Sequence, residues 1–168
     1  MQFENSEIQK LYEYWIRRVP DGSDVDERSI STHEVLRAHF LIADYFDGDD
    51  KGMGGIGPRD MNLLCSAVHR QFIEFGGVKK WQNEFQQCAT LLYGLVQDHP
   101  FHDANRRTGL LTTLFFLQKI AASRQCARRI SRTSLLKSRR RICKDTDGIE
   151  TWLRARLQTP RSCLLLTT

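Results

Sequence analysis

No apolar run in the sequence approaches the roughly 20 residues that a membrane-crossing helix needs, so no span is expected. The opening MQFENSEIQK lacks the basic-then-apolar order of a signal peptide. No cysteine stands in a C-x-x-C pair. The five present, Cys65, Cys88, Cys126, Cys143 and Cys163, are an odd number without metal-ligand spacing, which argues against a disulfide framework or a zinc ribbon. These absences point to reduced thiols and a cytoplasmic protein. Strand-period alternation and internal repeats are missing as well, which leaves an all-α class. The 168 residues suffice for one domain that buries about two-thirds of its unfolded surface.

Acidic residues are scarce only at one end. Residues 1–120 carry 13 Lys and Arg against 17 Asp and Glu, whereas residues 121–168 carry 12 against 3. The net charge of +5 therefore belongs to the tail. That tail, RQCARRISRTSLLKSRRRICK at its centre, has no aromatic residues on which bases could stack, so nucleic-acid binding is not the expected function.

What is present upstream is a succession of amphipathic helices. Asn5 or Ser6 can cap a helix whose apolar face is Ile8, Leu11, Tyr12, Trp15 and Ile16. Ser31 and Glu34 form a capping box for a second helix through Leu36, Phe40 and Ala43 that ends near Phe46. DGDDKGMGGIGPR, Asp47 to Arg59, is too rich in glycine for a helix. Asp60 restarts one with Met61, Leu64, Val68 and Phe72 on one face, and FGGVKKWQN breaks it again. A helix from about Asn83 carries Phe85, Cys88, Leu92, Leu95 and Val96. The last one, starting at Asn105, presents Leu110, Leu111, Leu114, Phe115 and Leu117 as the expected centre of the core.

Between those two helices lies HPFHDANRR, His99 to Arg107, ionisable chemistry at the mouth of an apolar helix. Starting that helix at Asn105 puts HDA over its N-terminus, where free amides and the positive end of the dipole make an anion site. Arg107 adds a fork suited to phosphate oxygens. Asp103 beside a bound anion needs a cation between them, and Mg²⁺ is the usual one. His99, at the other lip, can take a proton near neutral pH. Phe101 pins the loop to the core. Each residue also has an ordinary use: His99 as a helix C-cap, Asp103 and Asn105 as N-caps, Arg106 and Arg107 as solvated charges, or His99, His102 and Asp103 as ligands of a metal.

HPFHDANRR resembles the Fic/Doc (Fido) family signature H-P-F-x-[D/E]-[A/G]-N-[G/K]-R at every position except Arg106, and the upstream GGIGPRDMNLLCSAVHRQFIEFGG and CATLLYGLVQDHPF are similar to the Doc-like branch. The resemblance spans about residues 33–119. It implies a compact all-α fold with the motif in a loop before the central helix, and a transferase that uses ATP and Mg²⁺ to modify a hydroxyl of a target protein. By that resemblance His99 is the base, Asp103 holds Mg²⁺, and Ala104, Asn105 and Arg106 supply anion-binding amides, with Asn105 ordering the loop. Arg107 clamps phosphate and Phe101 is structural. A flap over the target segment is expected at Met53–Gly57, or else at Gly76–Gln82.

Adenylylating members carry Gly where this chain has Arg106, and a second Arg where it has Leu110; Doc-like members carry Lys and present the γ-phosphate. The expectation is therefore phosphoryl transfer, with AMP transfer and a catalytically dead nucleotide- or antitoxin-binding module as alternatives. The family further suggests a toxin with a translation elongation factor as target and an antitoxin as partner. The expected organisation is a helical domain over residues 1–120 and a poorly packed basic tail over 121–168. That tail reads either as an out-of-frame product of a shift after Ile120 or as a genuine basic extension.

Overall fold

A computed structural model describes residues 3–19, 28–47 and 53–123, with side chains to residue 120. The tail beyond residue 123, and the expectation of a shifted frame, lie outside the described residues. The described chain is mostly helical: α1 (Ser6–Ile16), α2 (Thr32–Tyr45), α3 (Met61–His69) with a 3₁₀ turn (Arg70–Phe72), α4 (Glu84–Gln97) and α5 (Asn105–Ser123). Two short antiparallel strands, β1 (Glu74–Phe75) and β2 (Val78–Lys79), form a hairpin between α3 and α4.

The first four helices each start where a short polar side chain accepts an orphan amide. Asn5 caps α1 through the Glu7 amide, Asp60 caps α3 through Asn62 and Leu63, and Asn83 caps α4 through Phe85 and Gln86. Ser31 and Glu34 form the full reciprocal box at the start of α2. The core gathers Ile8 of α1, Val35, Leu36 and Phe40 of α2, Leu64 and Val68 of α3, Leu91 and Leu95 of α4, and Phe116 of α5.

The buried face of α5 matches the expected one at Leu117 and differs elsewhere. Leu110, Leu111, Leu114 and Phe115 are only half-buried, while Thr108, Gly109, Thr112, Thr113, Phe116, Leu117 and Ile120 face inward. Close helix packing explains the shift. A Cβ on Gly109 would stand 2.9 Å from Leu92 Cδ1 and 3.3 Å from Val96 Cγ2, so α4 and α5 approach through a bare backbone that larger residues would hold apart. α3 also ends earlier than its apolar pattern suggests, at His69, leaving Phe72 on the rim of the following turn.

The sharp α4–α5 connection positions the site. Asp98 caps the C-terminus of α4, and His99 follows in the left-handed region with φ 47, then Pro100 stops the helix. Phe101 bridges to Pro58 as an isolated strand pair, the Pro100 carbonyl accepts from the Arg59 and Asp60 amides, and the His102 amide donates to the Gly57 carbonyl. The Gly-rich segment and the loop are thus laced together along their backbones.

Gly57 is the tight point of this lacing. Its φ is +99, and a Cβ there would stand 2.7 Å from Trp15 Nε1. We expect Gly57→Ala to lose about 2–4 kcal/mol of stability, from the left-handed backbone and the displaced indole together, measured by denaturant unfolding. A loss under about 0.5 kcal/mol would contradict this account of the turn.

Candidate active site

The loop from His99 to Ala104 closes on itself through Asn105. Its side-chain oxygen accepts from the Phe101 amide at 2.9 Å, and its side-chain nitrogen donates to the Phe101 carbonyl at 3.0 Å. Those two bonds fix the amide orientation, since only the oxygen can accept. Asn105 and Phe101 are both buried, so neither backbone group has water as a substitute partner.

Phe101 lies flat on the ring of His39 in α2, with centroids 4.0 Å apart and planes 10° apart. His39 is fully buried. Its Nε2 accepts from the Gly57 amide at 2.9 Å, so the ring hydrogen sits on Nδ1 and donates to Thr108 Oγ1 of α5 at 3.1 Å. Burial pushes its pKa down to about 3, so the ring is neutral.

Ala104 adopts φ 58 immediately before α5, and its carbonyl accepts the first helical bond, from Thr108 at 2.8 Å. The amides of Asn105, Arg106 and Arg107 have no carbonyl one turn back, which leaves them for an anion at the positive end of the helix. Arg106 is exposed at that end.

Asp103 faces the same opening. One carboxylate oxygen accepts from the Gly54 amide at 3.0 Å and the other from Ala104. The Gly54 bond first, then the Ala104 bond, hold its carboxyl below the usual range. Arg107 Nη2 stands 4.0 Å from Asp103, and its guanidinium carbon lies 4.6 Å above the Phe46 ring at the end of α2. His99 is exposed at the turn from α4 into the loop.

The structure therefore brings Phe101, Asp103, Ala104, Asn105, Arg106 and Arg107 to one helix end, with His99 at the turn into it. A single ionised carboxylate with spare lone pairs, beside amides open to phosphate, suits Mg²⁺ shared with a nucleotide. Among the described residues no group of three or more His, Cys, Asp and Glu side chains is placed to hold a metal ion, His99, His102 and Asp103 included.

His39, Thr108 and Phe46 pack around the site and escape a reading of the motif, whereas Gly54 and Gly57 lie in the segment already expected beside it. A histidine inside the apolar stripe of Leu36, Phe40 and Ala43 is the one signal that could have pointed to His39. Met53–Gly57, the favoured flap segment, has its Gly54 and Gly57 amides engaged by Asp103 and His39. Gly76 and Gly77 instead form the turn of the β1–β2 hairpin, where Phe75 and Val78 are exposed.

No helix among the described residues is long and apolar enough to cross a membrane. No curated protein and no solved structure matches the chain significantly. A family model does: the one described as Fic/DOC family matches residues 3–117, more than half of the chain and the whole of the loop and helix end, and the protein belongs to that family.

Proposed function

We propose that the protein is a Doc-like transferase that moves the γ-phosphoryl group of Mg·ATP to a hydroxyl of a target protein, as the toxin of a toxin–antitoxin pair. Fic/DOC membership supports transfer from a nucleotide to a protein. The observation that carries the reading is that Asp103, Arg107 and the open amides of α5 share one helix end, with His99 exposed at the turn before it. In this reading residues 1–120 are the transferase domain, 121–168 are a basic tail, a translation elongation factor is the target, and a short antitoxin neutralises the enzyme.

His99 accepts the proton of the target hydroxyl as its oxygen attacks the γ-phosphorus. The new P–O bond forms as the bond to the bridging oxygen breaks, and ADP leaves. Arg107 and the amides of Asn105 and Arg106 stabilise the charge that develops on the phosphate oxygens. Asp103 would hold Mg²⁺, which neutralises phosphate charge when bound. The hairpin is the better candidate for presenting the target, because both of its strands are exposed and its base lies near the loop. Trp81 Nε1 donates to the Arg70 carbonyl, and Arg70 Nε stands 4.0 Å from Asp98, the neighbour of His99.

Arg106 selects the phosphorus. With Gly at this second position of α5 the α-phosphate can approach the attacking group; a long cation there obstructs that approach and turns the triphosphate around. We expect the intact mass of a modified elongation factor to rise by one phosphoryl group, and Arg106→Gly to shift part of the product toward AMP. A mass increase of one AMP from the unsubstituted protein would assign it to the adenylylating chemistry instead.

A further inference from the structure

His39 is a fully buried polar side chain with no place in the transfer chemistry, yet it touches every segment that shapes the site. It sits in α2, accepts from Gly57 of the Gly-rich segment, donates to Thr108 one turn into α5, and stacks on Phe101 of the loop. Three residues upstream of Gly57, the Gly54 amide donates to Asp103. The ring thus stands behind the placement of the site carboxylate without touching it.

We propose that His39 is a positioning residue: its ring fixes the Gly-rich segment against α5, and the segment in turn fixes Asp103 at the phosphate-binding end of that helix. The proposal rests on the function proposed above for Asp103. Its chemistry is that of an outer partner that orients a metal-holding carboxylate through an intervening hydrogen bond, where substitution costs metal affinity about 10–100-fold. Only a ring with a lone pair on Nε2 and a hydrogen on Nδ1 satisfies Gly57 and Thr108 together. Removing the lone pair leaves the Gly57 amide buried without an acceptor, and the segment must move to find one.

Two shorter amides separate the two contacts. The Gln side chain reaches the Nε2 position and can accept from Gly57, whereas Asn reaches only the Nδ1 position and can donate to Thr108. The full chain is compared as wild type, His39→Gln and His39→Asn, with amide hydrogen exchange at Gly54 and Gly57 and the affinity for Mg²⁺ with the non-hydrolysable analogue AMP-PNP as readouts. In His39→Asn, exchange at both glycines accelerates and affinity falls about tenfold or more. In His39→Gln both stay within about threefold of wild type, a rescue that a purely space-filling role would not produce. Slow exchange at Gly54 in His39→Asn, or equal affinity in the two variants, overturns the proposal. A wild type that does not bind Mg²⁺ with AMP-PNP overturns the proposed function, and the exchange at Gly54 then still decides whether His39 holds the segment that places Asp103.

Discussion

His99→Asn will lose at least about 100-fold in transfer rate while binding Mg·ATP nearly as well as wild type. The asymmetry follows from position. His99 is exposed at the turn into the loop, and in the proposed mechanism it takes a proton from an incoming hydroxyl, whereas the proposed nucleotide contacts are Asp103, Arg107 and the amides of α5. Asparagine is the informative replacement because His99 has φ 47, a left-handed conformation that Asn accepts readily and Ala does not. His99→Ala would combine loss of the base with strain in the turn after α4, and both replacements should abolish turnover. Single-turnover transfer and ATP binding, measured on the same preparation, separate the two effects. Activity of His99→Asn equal to wild type would remove His99 from the mechanism.

Asn105→Ala will destabilise the protein by about 2–4 kcal/mol, because it leaves both the amide and the carbonyl of buried Phe101 without partners. Asn105→Asp should be no better. A carboxylate still accepts from the Phe101 amide, but it places a second oxygen against the Phe101 carbonyl where a donor is required. Both variants should also bind Mg·ATP more weakly, since the loop that carries Asp103 loses its closure. Denaturant unfolding tests the first effect and calorimetric titration the second. A variant within about 0.5 kcal/mol of wild type would mean that the loop is held mainly by its pairing to Pro58 and Arg59.

The parts of the fold that could be read from sequence are those set by neighbours in the chain. The caps at Asn5, Asp60 and Asn83 and the Ser31–Glu34 box act over two or three residues, and the start of α5 at Asn105 coincides with a side chain that reaches back four residues to Phe101. The buried face of α5 was not legible. Leucine spacing pointed to Leu110, Leu111 and Leu114, but the gap that α4 leaves at Gly109 sets the contact, and that gap exists only once Leu92 and Val96 are in place. The hairpin strands, two residues each, are too short to show any alternation.

The same distinction runs through the site. HPFHDANRR placed the loop, the helix end and its charges within nine residues. His39 reaches Gly57 across 18 residues and Thr108 across 69, so its role depends on the packing of α2 against α5 and on a stack with Phe101 that no spacing rule anticipates. Phe46 lies against Arg107 for the same reason.

The central claim is that this loop transfers phosphate to protein under the control of His99. It is tested most directly by incubating wild type and His99→Asn with a cell extract and ATP labelled at either the α- or the γ-phosphate. The account predicts γ-label in a protein band with wild type and none with His99→Asn, and no protein-bound α-label with either. Protein-bound α-label, γ-label that persists in His99→Asn, or no label from either position would contradict it.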